Sequence, residues 1–420
     1  MVSAEGQRAG HAVADAKEVE ALILSLGVAL TMTGDAVSEI QSHLRAIAAA
    51  YGYGDARISL SPTLLIVTLH DDEVAAIRTI ESFRELRLDQ ASEVIGVARS
   101  AEAAEITSGE ALDKLDSALE MPPRFGTASF IASHAVLTLG LGLVIGPATI
   151  GIWPYLPLGA LVGAMKVWPA RLGSRRPLVP LVAAALVSAI AFLIKGGNDA
   201  ASLRLIIPPL VTFLPGALLT MATVDLAMGE TITGASRFVA GLLQLVLLAI
   251  AIIVGAEIVS NPHNGPIAGA HAATSWTAWL GVLIFGLAIY VHDSAPRRSL
   301  PWLLIVLFSA WIGQLIGRQF VDATLSGFVG AAVMVPVAHL VQRIRTAPPA
   351  HVMFLPAFWL LVPGTFGLIG ITEIVGNNAQ LGTQNLVAAL TSIPSIALGV
   401  LVGTMTVRAV RVARHRHPFS

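Results

Sequence analysis

From residue 123 onward the chain is a succession of apolar runs, each close to a bilayer thickness in helical length. A hydrocarbon core of roughly 30 Å needs about 20 residues of helix to cross it. Cutting the sequence at polar and Pro/Gly clusters leaves ten such runs, near 127–147, 151–168, 178–195, 205–225, 237–259, 272–291, 300–317, 324–342, 352–373 and 384–407. In lipid every backbone amide and carbonyl must be satisfied internally, so runs of this length predict helices. The composition agrees, since 55% hydrophobic and 13% charged residues with a mean hydropathy of +0.75 leave more apolar surface than a water-soluble fold can hide. The expected fold is a polytopic α-helical membrane protein with ten transmembrane helices.

The first 122 residues differ. They hold 20 of the 27 acids and 9 of the 26 bases, a local net charge of 9 − 20 = −11, while residues 123–420 hold the other 7 acids and 17 bases. The change falls at Glu120–Gly126, "EMPPRFG". With Glu5, Asp15 and Glu18 near the start and no A-x-A-like site after the apolar stretch 19–32, the opening is not expected to be a signal peptide. Residues 17–52 carry apolar positions at three-to-four spacing and predict two helices parted at Gly34 and stopped at Gly52. "ARISL" and "TLLIVTLH", separated by Ser61 and Pro62, predict a hairpin, with a third strand near "AAIRTIES". Two further helices follow, "DQASEVIGVARSAEAAEIT" and "SGEALDKLDSALE", the second with Ser108 as its N-cap. The segment 1–122 is thus expected to be a small α+β cytoplasmic domain. Its negative charge argues against nucleic acid and against an anionic lipid surface. Gating, substrate sensing and homo-oligomer formation stand as equal roles for it.

Lysine and arginine set the expected orientation. With the first domain in the cytoplasm, 14 basic residues fall at cytoplasmic ends, among them Arg124, Lys166, Arg237, Arg297 and Arg298 and the tail from Arg408 to Arg416. Lys195, Arg204 and Arg318 fall on the other face. Both termini are then cytoplasmic.

The chain also repeats itself. An offset of 148 residues places Pro208 on Pro356, Pro215 on Pro363, Gly216 on Gly364 and Asp225 on Glu373 without a gap. The unit contains five spans, and an odd number inverts the second copy, so residues 123–262 and 263–420 are expected to form a 5+5 inverted repeat. A proline inside a helix removes a donor and clashes with the carbonyl four residues back, and a following glycine loosens the chain further. Such breaks are tolerated where protein or a watery cavity satisfies the freed groups. Pro215–Gly216 and Pro363–Gly364 are therefore expected to hold a small zwitterion, with the half-helix N-terminus favouring its carboxylate. Asp225 and Glu373 would pair with an ammonium or take up a coupling proton. Thr212, Thr220, Thr223, Thr365, Thr372, Asn377 and Asn378 add hydrogen-bonding groups. His134, Gln244, Gln314 and His339, also inside spans, are expected to bond helix to helix.

Catalysis finds little support. There is no cysteine, hence no disulfide, thiol nucleophile or iron–sulfur ligand, and no P-loop or H-E-x-x-H pattern. No cofactor or metal is expected. "LHDDE" at 69–73 is the one hydrolase-like cluster, but consecutive residues in or after a strand point to alternating faces. A membrane-anchored hydrolase using the first domain is accordingly the alternative of another class.

These features together resemble one family. "LGVALTMTGDAVSEIQSHLRAIAAAYG", "ISLSPTLLIVTLHDDE", "SGEALDKLDSALEMPPRFG", "NPHNGPIAGAH" and "LLVPGTFGLIGITEI" are similar along the whole chain to the threonine/serine exporters. The resemblance implies secondary export of L-threonine and L-serine across a bacterial-type cytoplasmic membrane, driven by the proton-motive force. Its partners would be that small-molecule substrate, protons and the lipid bilayer. Related split systems are associated with succinate, so a dicarboxylate is the alternative cargo.

Overall fold

The computed structural model describes residues 15–70, 74–80, 85–145, 151–168, 178–195, 200–259, 276–321, 325–361 and 379–416. The chain divides into two compact units, Met1–Pro122 with Asp225–Ser236, and Pro123–Val224 with Arg237–Ser420.

In the first unit, helices α1 (Ala16–Thr31) and α2 (Val37–Ala50) precede a meander of β1 (Arg57–Leu60), β2 (Leu64–Thr68) and β3 (Ala76–Thr79), after which come α3 (Leu88–Glu102) and α4 (Ser108–Glu120). The sheet order is β1-β2-β3, antiparallel throughout, with Ile58 opposite Val67 and Ile66 opposite Ile77. Val19, Leu22, Ile23 and Leu26 on α1, Leu44 on α2 and Leu65 and Val67 on β2 are buried and form the core. Gly27 lets the sheet approach α1, since a Cβ there would lie 2.4 Å from the Leu65 side chain.

Two expected boundaries move. The third helix stops at Glu102, where Ala104 takes a φ of 52° and turns the chain, instead of running on to Thr107. The N-cap of α4 is Thr107 and not Ser108. Its side chain receives the Glu110 N–H while Glu110 reaches back to the Thr107 N–H, a reciprocal pair that satisfies two orphan donors.

His43 of α2 bonds Glu102 of α3. That hydrogen bond outweighs the cost of burial and raises the His43 pKa above its ordinary value. The bond therefore stabilises the first unit fully below the ordinary histidine pKa and is lost as pH rises through the raised value. Hydrogen-exchange protection factors for α2 and α3, which divide out intrinsic exchange, should fall as the pH is raised above the ordinary histidine value of 6.5. In His43→Gln they should be flat, and equal slopes in both proteins would exclude the pair as the cause.

The second unit is built from apolar helices. Among the described residues four are long and apolar enough to cross a membrane: α5 (Thr127–Ile145), α10 (Thr231–Val259), α12 (Leu300–Phe320) and the segment Gly382–Val410 of α16 (Ala379–Arg416). A fifth span results if the bent pair of α8 (Ala200–Leu210) and α9 (Gly216–Ala227) counts as one. Shorter apolar helices occupy the other expected runs: α6 (Tyr155–Val167), α7 (Val179–Lys195), α11 (Trp276–His292), α13 (Ser326–Val341), and α14 (Ala350–Phe354) followed by α15 (Ala357–Leu361). On α10 the exposed apolar residues Val239, Leu243, Leu247, Ile250, Val254 and Ile258 recur every three or four positions. A continuous apolar stripe turned outward is unfavourable in water and is what a lipid-facing helix presents.

Glycines set how closely these helices approach. Lipid offers no hydrophobic drive between apolar helices, so small residues that permit backbone contact supply the packing. α5 is clasped on two sides in this way. A Cβ at Gly140 would lie 2.6 Å from the Phe285 nitrogen of α11, and one at Gly281 would lie 2.6 Å from the Gly140 oxygen. On α6, Gly159 and Gly163, four residues apart, lie against Ala135 and Thr138, and against Ile131 and His134.

Candidate functional site

The expected break at Pro215–Gly216 is present as a 57° bend between Arg204–Phe213 and Gly216–Ala227. Pro208 and Pro209 lie inside α8, which gives way to a 3-10 turn over Val211–Phe213 before Leu214 becomes extended at ψ 128°. Prolines at 208, 209 and 215 each withdraw a backbone donor, so carbonyls in this stretch need other partners. Side chains supply them. His134 Nε2 of α5 donates to the Pro209 oxygen at 3.1 Å, and Gln244 Nε2 of α10 donates to the Phe213 oxygen at 2.6 Å. Within α9 itself, Thr220 Oγ1 and Thr223 Oγ1 bond back to the carbonyls four residues earlier, Gly216 and Leu219, both at 2.9 Å. Thr212 Oγ1 is buried and has no hydrogen-bond partner among the described residues. Lys166 of α6 places its ammonium 5.5 Å from the Phe213 ring and 5.8 Å from the Phe130 ring, within cation–π range.

Behind the break lies a group the sequence reading did not assemble. His134 Nδ1 is 3.2 Å from His292 Nε2, and His292 Nδ1 is 2.7 Å from Asp293 Oδ1. The ring of Phe130 stacks on His292 at 4.4 Å. Both histidines are buried, and Asp293 is the more exposed end, with 24% of its side-chain surface open against 3% for His292. The Gly140 and Gly281 contact permits this approach, because α5 and α11 meet there backbone to backbone. The expected helix-to-helix role of His134 and Gln244 is thus observed. His339 bonds Val335 of its own helix.

Asp225 stands in the last turn of α9, as expected near the end of its span, within the segment Asp225–Ser236 grouped with the first unit, and is fully buried. Its Oδ1 accepts the Val37 N–H at 2.8 Å, at the start of α2, where Ala36 provides no side-chain cap. Gln41, one turn on, donates to Glu230 at 3.2 Å. The corner closes with Gly229 at φ 89° and the Glu230 N–H bonded to the Asp225 oxygen at 2.9 Å, a glycine-based helix stop. Pro363, Gly364, Thr365, Thr372, Glu373, Asn377 and Asn378 lie outside the described residues.

A helical unit with an outward apolar stripe and a span broken around polar side chains has the build of a membrane transport protein. The chain belongs to the threonine/serine exporter family: one family model of that description matches residues 21–259 and a second matches 274–406. A threonine/serine exporter of Corynebacterium glutamicum is 22% identical over 436 residues, covering 95% of this chain and 84% of that protein. Pheromone-regulated membrane protein 10 of Candida albicans, in strains WO-1 and SC5314, is 26% identical over 273 residues, covering 60% of this chain and 24% of the relative. The chain thus spans about a quarter of the Candida proteins. No solved structure matches. Both family models carry an exporter description and neither describes a hydrolase.

Proposed function

We propose that this protein exports L-threonine and L-serine by proton-driven alternating access between two inverted five-span halves. The observation that carries the reading is the bent span in a member of this family, where side chains of neighbouring helices reach the Pro209 and Phe213 carbonyls while one buried hydroxyl, Thr212, is left for a ligand. The half-site comprises Pro215, Gly216, Thr212, Thr220 and Thr223. The N-terminus of α9 and the Lys166 ammonium together favour one carboxylate. By repetition the second half-site is Pro363, Gly364, Thr365, Thr372, Asn377 and Asn378, with Glu373 as counter-charge to the cargo's ammonium. Asp225 has a structural place in this scheme, because its Oδ1 carries the start of α2.

Helix positions support two related halves. Shifted by 148, Thr127–Ile145 becomes 275–293, against α11 at Trp276–His292; Val179–Lys195 becomes 327–343, against α13 at Ser326–Val341. Likewise Thr231–Val259 becomes 379–407, within α16 at Ala379–Arg416.

Succinate is the second reading, and the Lys166 ammonium at the break suits one carboxylate better than two. Counterflow in proteoliposomes separates the cargo classes. Labelled threonine and serine should exchange and succinate should not; exchange of succinate alone would overturn the amino-acid reading.

A further inference from the structure

The row Pro209 carbonyl, His134, His292, Asp293 contains three hydrogen-bonding gaps, and counting protons across it gives a definite answer. A carbonyl and a carboxylate close the two ends, and neither brings a proton. Each gap needs one: between the Pro209 oxygen and His134 Nε2, between His134 Nδ1 and His292 Nε2, and between His292 Nδ1 and Asp293 Oδ1. Two neutral imidazoles supply two. The third must be added, and with it the row is fully bonded and carries no net charge.

Removing that proton leaves two for three gaps. The gap to the carboxylate keeps its proton, because a bond to an ionised acceptor is the strongest of the three. The other proton sits either between the rings, leaving His134 Nε2 and the Pro209 oxygen as facing lone pairs, or toward Pro209, leaving two bare ring nitrogens facing each other. In both cases the contact that fails is made by His134. One proton therefore decides whether α5 is tied at once to α11 and to the carbonyl beside the broken span.

We propose that the His134–His292–Asp293 row is the proton-carrying site of the exporter, taking up one proton through Asp293 and converting its loss into release of the break at Pro209. This rests on the reading of the protein as a proton-driven exporter. The charged groups facing the two rings are Asp293 and, from α6, Lys166. α8 contributes the Pro209 carbonyl. Arg124 at the start of α5 bonds the Ala295 oxygen and the Tyr290 hydroxyl. Lys166 opposes a second positive charge and so favours a row that is neutral when loaded.

Asp293→Asn is the informative substitution. An asparagine amide can donate to His292 Nδ1, filling the third gap with no added proton, so the row stays bonded and loses its need for one. In proteoliposomes the wild type should show threonine counterflow without a pH gradient and accumulation with one. Asp293→Asn and His134→Gln should still exchange threonine but accumulate it at least about tenfold less. Accumulation at the wild-type level in both variants would overturn the proposal, and so would loss of exchange in both when they elute as folded protein. A wild type that moves no threonine would bring down the exporter reading alone. The row is then judged by back-titration of the purified chain between pH 5.5 and 8.5: one more proton in wild type than in Asp293→Asn supports it, and equal counts overturn it.

Discussion

Gly140→Leu should yield little or no monodisperse protein, and what remains should melt far below the wild type. A Cβ at this position meets the Phe285 nitrogen at 2.6 Å, the Phe285 Cα at 2.9 Å and the Gly281 oxygen at 2.9 Å. All three are backbone atoms, so no side chain can swing away to make room. Surplus methylenes forced into a packed interior cost about 1–3 kcal/mol, occasionally more, and leucine adds four carbons against a rigid wall. The loss should exceed about 3 kcal/mol, a large share of the roughly 5–15 kcal/mol that holds a typical fold. Gly96→Ala on α3, where a Cβ would meet nothing within 4 Å, is the control and should keep the yield and melt no lower than the wild type, since alanine is favoured over glycine inside a helix by about 0.5–1 kcal/mol. A Gly140→Leu protein that elutes and melts like the wild type would refute the close crossing. The site is involved as well, because His134 lies on the same helix six residues before Gly140 and depends on that crossing to reach His292.

What was legible in the sequence follows from the range of each signal. Runs of about 20 apolar residues are a compositional mark, and apolar helices occupy them, wholly or in part, within the described residues. The break at Pro215–Gly216 was legible because proline acts on its own turn of helix. Boundaries inside the first unit were missed by one to five residues, where a left-handed Ala104 and a reciprocal Thr107–Glu110 cap override a run that still reads as helical. Gly159 and Gly163 form a small-xxx-small pattern that could have announced the contact of α6 with α5. Other features had no local mark. His292 and Asp293 close a span and read as its polar boundary, while their partner His134 lies 158 residues away. Lys166 reads as a topological charge, yet it sits over two aromatic rings beside the break. The repeat matches Asp225 to Glu373, and no local signal shows that its Oδ1 accepts from Val37, 188 residues earlier.

That last bond gives the second large effect. Asp225→Ala should speed hydrogen exchange at Val37 and the next amides of α2 by about tenfold or more, measured on the full chain. The first amides of a helix have no partner within it, and Ala36 supplies no side-chain acceptor, so the Val37 N–H depends on Asp225. Leaving a buried donor unsatisfied costs about 1–3 kcal/mol, of which 1.4 kcal/mol is already a factor of ten. The anion also complements the positive end of the helix dipole, which alanine cannot do. Asp225→Asn separates this role from proton coupling. The amide oxygen still accepts from Val37 but no longer titrates, so protection should fall only slightly and gradient-driven threonine accumulation should persist. Accumulation lost in Asp225→Asn with protection intact would return the acid to the coupling path and take the cap with it as a complete account. Fast exchange in the alanine variant and near-normal transport in the asparagine variant would instead make this carboxylate a tie between the end of α9 and the start of α2.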